Sequence, residues 1–142
     1  MALDGITIER IQETFDFLDD WEERFTFVLD LGRKLPPMDE AEKTEANRVH
    51  GCQATVYMKA NVEMNGVPRL VLSATSDAHI VNGLIAILMV MYSGKAPDEI
   101  MKVEAESILT GMGLEAHLSP TRRNGLHSML KRIRQLATEH AT

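Results

Sequence analysis

Apolar positions along the chain follow two periods, helical at both ends and alternating in the middle, and the switches between them mark out the elements. After Thr7, which is placed to cap a first turn, Ile8, Ile11, Phe15 and Leu18 recur at helical spacing on an otherwise polar segment. This predicts an outer brace helix rather than a site. A second helix follows, with Asp19, Asp20, Glu22 and Glu23 as its acid-rich start and Trp21, Phe25, Val28 and Leu29 as its buried face. Gly32 and then Pro36-Pro37 end it. From Pro36 to Val49 apolar residues thin out, which predicts an exposed connector with at most a turn of helix. Then Ala54, Val56, Met58, Ala60, Val62 and Met64 alternate with Thr55, Tyr57, Lys59, Asn61 and Glu63, the pattern of a strand with one buried face. Asn65-Gly66 predicts a two-residue type I′ turn, and Leu70, Leu72 and Ala74 share one face of a return strand from about Pro68 to Thr75. The hairpin spans about residues 54–75 and leaves a third strand open; two strands alone are marginal, so helices must cover the apolar face.

The helical period then returns. Ser76 or Asp77 is placed to cap a helix to about Tyr92, in which Ile80, Val81, Leu84, Ile85, Ile87 and Leu88 leave little polar surface, the mark of a buried central helix. Ser93-Gly94 closes it, and Pro97 with Asp98 and Glu99 opens a shorter one. Gly111 and Gly113 break the chain before Ser119-Pro120 starts the last helix. Its stripe is Leu126, Met129, Leu130, Ile133, Leu136 and Ala137, with Arg122, Arg123, Lys131, Arg132 and Arg134 mostly outside. With no repeat, low-complexity run or linker, the order predicts one α+β domain over 1–142, a small antiparallel sheet packed against helices. Met58, Met64, Met89 and Met129 fall on core-facing positions, and Trp21 at helical spacing is read as core in preference to a binding surface.

Composition narrows the class. A chain of 142 residues with 44% hydrophobic and 25% charged residues suits a single soluble globular domain. The longest apolar run, Leu84 to Tyr92, is far short of a membrane span, and Met-Ala-Leu-Asp-Gly offers no basic region with an apolar run behind it. One cysteine and no export signal make the reducing cytoplasm the expected compartment, and monomer the expected state. Residues 1–45 carry 13 acids against 5 bases while residues 46–142 carry 8 against 10, so there is no basic face of the kind nucleic acid needs. The acidic front half reads as a solvated helix surface, with a docking protein as the alternative.

The chemistry is limited by number. Cys52 is the only sulfhydryl, which rules out an internal disulfide, a CxxC pair and a four-cysteine zinc site. Arg48 and His50 lie close enough in sequence to favour its thiolate, and Gly51 leaves the neighbouring backbone uncrowded and free to move. A lone cysteine is also commonly a small buried hydrophobe. His50, His79, His117, His127 and His140 carry no hydrolase signature, no HxxxH or HxxE pattern supports a metal, and no glycine-rich phosphate loop appears.

Three segments bear a family likeness: Asn47 to Tyr57 around Arg48-Val49-His50-Gly51-Cys52-Gln53, Ser76 to Ala86, and His117 to Leu126. With Trp21-Glu22-Glu23-Arg24 and Leu31 to Pro36, they resemble the SufE family in order and spacing over nearly the whole chain. The resemblance implies a fold similar to iron–sulfur scaffold-type domains. It also implies a protein that takes persulfide sulfur from a pyridoxal-phosphate-dependent cysteine desulfurase of the SufS or CsdA kind onto Cys52. Such a protein stimulates the desulfurase and delivers sulfur to a scaffold such as a SufBCD-type complex, with no cofactor of its own, since the pyridoxal phosphate belongs to the partner. His50, Gly51, Gln53, Asp77, Arg122 and Asn124 carry over as loop-holding or partner-facing residues, Asp77 being expected chiefly as a helix cap. Ala54, Tyr57 and Asn82 depart from the family pattern, where serine, tryptophan and a basic residue are frequent. The competing functional class is a non-catalytic adaptor that regulates a desulfurase or scaffold through its acidic half; a self-sufficient redox sensor or hydrolase has no supporting pattern.

Overall fold

The computed structural model describes residue 3 and residues 5–140. Helix α1 (Ile8–Phe17) begins as its cap predicts, with Thr7 Oγ1 accepting from Arg10 N at 3.2 Å, and buries Ile11 and Phe15. Helix α2 (Trp21–Gly32) is capped by Asp20 Oδ1, which accepts from Glu23 N at 2.8 Å. Its core residues are Val28 and Leu31, so Leu31 rather than Leu29 completes the buried face; Trp21 and Phe25 are half-buried. The connector folds into two 3₁₀ turns, Glu40–Glu42 and Glu45–Asn47, and is tied down by a Lys59–Glu42 ion pair of 2.8 Å and by Asn47 Nδ2 donating to Glu42 O.

Strands β1 (Val56–Asn65) and β2 (Val67–Ser76) form a two-stranded antiparallel sheet, and among the described residues no third strand joins it. Single bridges stand in that place, Arg48 to Tyr57 on one side and Leu70 to Lys95 on the other. The reversal is centred on Gly66 (φ 85°) with Asn65 opposite Val67, not on a two-residue Asn65-Gly66 turn. Register explains the difference. Pairing Met58 with Ala74, Ala60 with Leu72 and Val62 with Leu70 puts apolar opposite apolar, whereas a two-residue turn would slip the pairing by one and set Arg69 against Val62.

Helix α3 (His79–Tyr92) is the buried centre, with Leu84, Ile85, Ile87, Leu88 and Tyr92 at most 2% exposed. It packs against α1, α2, β2 and the last helix, and it crosses α2 where two glycines meet. A Cβ on Gly32 would stand 2.7 Å from Gly83 N, and one on Gly83 would collide with the Val28 carbonyl. The segment after Pro97 is two short helices, α4 (Pro97–Lys102) and α5 (Ala105–Gly111), rather than one. After a 3₁₀ turn at Glu115–His117, α6 (Pro120–Glu139) is capped by Ser119 Oγ, and its whole expected stripe from Leu126 to Ala137 is buried. The buried apolar residues other than Met38 and Ala96 form one cluster, which includes Met58, Met89 and Met129. Met64 is excluded from it: the far end of the hairpin leaves the body, with Val62 41% and Met64 70% exposed. No helix among the described residues is long and apolar enough to cross a membrane.

Candidate functional site

The loop between Val49 and Thr55 is held at its two ends and little between. Val49, 3% exposed, is an apolar anchor whose N–H donates to Val56 O at 2.8 Å. At the other end Thr55 N donates to Asp77 Oδ1 at 3.1 Å. Asp77 is therefore not the cap of α3, whose cap position is Ala78 and carries no side-chain cap; its carboxylate serves a loop amide 22 residues upstream. The neighbouring turn is fixed instead by Ser76 Oγ, which accepts from Ala78 N, and by Asn82, whose side chain both accepts from Ser76 N (2.8 Å) and donates to Ser76 O (2.9 Å). Asn82, a departure from the family pattern, thus closes the strand-to-helix corner. Among the described residues, the backbone of positions 50–54 pairs with no other element; His50 and Gly51 form only a local turn.

Within that loop Gly51 takes φ 91°, a left-handed conformation that glycine alone adopts without strain, and it lies so close to Ser128 that a side chain there would collide with the hydroxyl. The turn delivers Cys52 onto α6. Its thiol donates to the Gly125 carbonyl at 3.5 Å, and a Cβ at Gly125 would stand 3.6 Å from the sulfur, in ordinary contact with it. Cys52 is half-buried, and burial pushes its thiol up from the ordinary range. No cation offsets this. His50, expected beside the sulfur, is exposed and faces Glu45 instead, Nε2 to Oε1 at 3.1 Å.

The sulfur opens onto a cleft of about 440 Å³ between α3 and α6. Val81 and Leu84 from α3 with Leu126 and Met129 from α6 form its apolar wall; Gln53, Asp77 and Arg122 give it a polar rim. Of the residues expected at the site, the fold brings Cys52, Gln53, Asp77 and Arg122 to one cleft and sets Gly51 against its α6 wall. His50 and Asn124, both exposed, do not line it. Ala54 does, and Tyr57 bridges to Arg48 below it. Gly125 and Ser128 were not singled out by sequence; their spacing of three on one helix face is a signal only once the loop is known to lie there. Among the described residues no group of three or more His, Cys, Asp and Glu could hold a metal ion.

A thiol seated without base or cation, at the mouth of a cleft, bears comparison with known proteins. The family model of SufE, an Fe-S metabolism associated domain, matches residues 9–137. The chain belongs to the SufE family. Two uncharacterized SufE-like proteins are each 41% identical to it: one of Rhizobium meliloti over 132 residues, covering 92% of this chain and 94% of the relative, and one of Rhizobium etli over 136 residues, covering 95% and 92%. A hypothetical protein from Thermus thermophilus, solved in solution, shares the fold at TM-score 0.72 and 25% identity, covering 93% of both chains. The SufE assignment fits the α+β order seen here and sets the chain in iron–sulfur metabolism.

Proposed function

We propose that this SufE-family protein accepts sulfur from a pyridoxal-phosphate-dependent cysteine desulfurase and carries it on Cys52 toward iron–sulfur cluster assembly. In the transfer, the Cys52 thiolate attacks the outer sulfur of a persulfide on the donor. The donor's sulfur–sulfur bond breaks, its thiolate leaves, and a persulfide stands on Cys52 with no net oxidation. The observation that carries this reading is the seat of the sulfur: a lone thiol, half-buried on Gly125 at the mouth of a cleft, with its ionisation opposed by burial and aided by no neighbour. Such a group is a poor nucleophile where it rests. It becomes a better one on leaving the cleft, which a loop backbone unpaired with any other element over 50–54 permits. Returned to the cleft, a persulfide would be shielded from reductants and oxidants by Val81, Leu84, Leu126 and Met129.

The pyridoxal phosphate belongs to the donor, and an iron–sulfur scaffold of the SufBCD kind is the receiver this reading expects. Desulfurase turnover tests it. With free cysteine as substrate and a thiol reductant present to discharge the persulfide, the parent protein accelerates alanine formation, while Cys52→Ser binds the desulfurase equally and does not accelerate it. Equal stimulation by the serine variant would remove the carrier role and leave an adaptor acting through the acidic α1 and α2.

A further inference from the structure

The chain leading to the thiol lies along one face of α6. Arg132 Nη2 donates to the Ala46 carbonyl at 3.3 Å, Gly51 rests against Ser128, and the Cys52 thiol donates to Gly125 O at 3.5 Å. Positions 125, 128 and 132 follow the i, i+3, i+7 rule and so share a helix face. As the chain advances from Ala46 to Cys52 the contacts step back from 132 to 125, so the segment runs antiparallel to α6. The contacts differ in kind. The Arg132 bond has a charged donor, the Gly51 contact is steric, and a thiol is a weak donor. Arg132 also keeps its Nε buried and unpartnered among the described residues, a cost that a freely solvated arginine avoids and that the reach to Ala46 offsets.

We propose that this face of α6 is the docking track of the cysteine loop, on which Arg132 is the positioning residue that holds the approach to the loop at Ala46, just before the Val49 anchor, and Ser128 the spacer that sets how closely the thiol end shuts. Opening is then a peel that starts at Gly125 and stops at the buried Val49, leaving Cys52 on a tether held upstream by Val49, with Arg132 steadying the chain that enters it at Ala46, and downstream by Asp77. This deepens the carrier reading and rests on it for its purpose, but its test needs no desulfurase.

The test is the rate at which iodoacetamide modifies Cys52 in the whole protein, followed by intact mass across pH. Arg132→Met keeps the apolar stem and drops the donors. It is expected to react roughly five- to tenfold faster, with the pH midpoint moved down toward that of an ordinary thiol, as loss of one charge-assisted bond would give. Arg132→Lys restores a charged donor and is expected to return the rate toward that of the parent. Ser128→Val adds bulk beneath Gly51 while leaving Arg132 in place, and is also expected to speed the reaction; it serves if Arg132→Met does not fold. Rates within twofold of the parent in the folded variants, or equal acceleration by Met and Lys at position 132, would overturn the proposal. Failure of Cys52 to accept sulfur from a desulfurase would instead count against the carrier reading and leave the track standing.

Discussion

At Cys52 two demands compete, since transfer needs a thiolate and a buried sulfur disfavours one. Burial pushes its thiol up from the ordinary range. Because alkylation consumes the thiolate and burial favours the neutral thiol, the rate should climb with pH through a midpoint above that of free cysteine. A pH–rate profile with iodoacetamide measures this directly, and a midpoint at or below free cysteine would show that a cation reaches the sulfur after all. Arg48 and His50 make that cation plausible from sequence, and it fails in space: His50 turns to Glu45, and Gly51 reverses the chain between His50 and the sulfur. Cys52 itself is legible because it has no rival, one thiol among 142 residues. Asp77 is not, because a carboxylate two residues before a helix looks like a cap, while its bond to Thr55 N depends on a strand pairing 22 residues away.

Elements are most legible where one face is wet. Thr7 caps α1 as its position predicts, Asp20 and Ser119 cap α2 and α6 at the starts their segments mark, and the α6 stripe is buried throughout. The pattern fails where tertiary contact decides: the connector to α5 breaks a helix that the apolar spacing alone does not divide, and the Gly66 reversal is set by side-chain pairing rather than by turn chemistry. The α2–α3 crossing belongs to the same class. Gly83 costs helix propensity inside an apolar helix, and its reason lies in the Val28 backbone against it. Gly83→Ala should therefore destabilise the protein by about 1–3 kcal/mol, despite alanine's better propensity, because the helices must separate to admit a methyl group. Urea unfolding checks it; an unchanged or raised midpoint would show that the crossing is loose.

Taken whole, the molecule divides its sheet between two tasks. The near half of the hairpin, with Val56, Met58, Leu72 and Ala74, closes the core beside the cysteine loop, while the far half carries Val62 and Met64 out into solvent. Strict alternation over the full strand marks which face is apolar but not how far the helices reach along it, which is why Met64 looks like core in the sequence. The helical body supplies what the loop needs: α3 and α6 wall the cleft, Gly125 seats the sulfur, and the strand-to-helix corner at Asp77 holds the loop's exit. Acceptance of sulfur is the claim on which this arrangement turns. The most direct measurement is the intact mass of the protein after incubation with a pyridoxal-phosphate-dependent cysteine desulfurase and free cysteine, without reductant, beside Cys52→Ser. Added mass of one sulfur, about 32 Da, on the parent alone is the predicted result. No added sulfur on the parent with an active desulfurase, or equal addition to the serine variant, would contradict it.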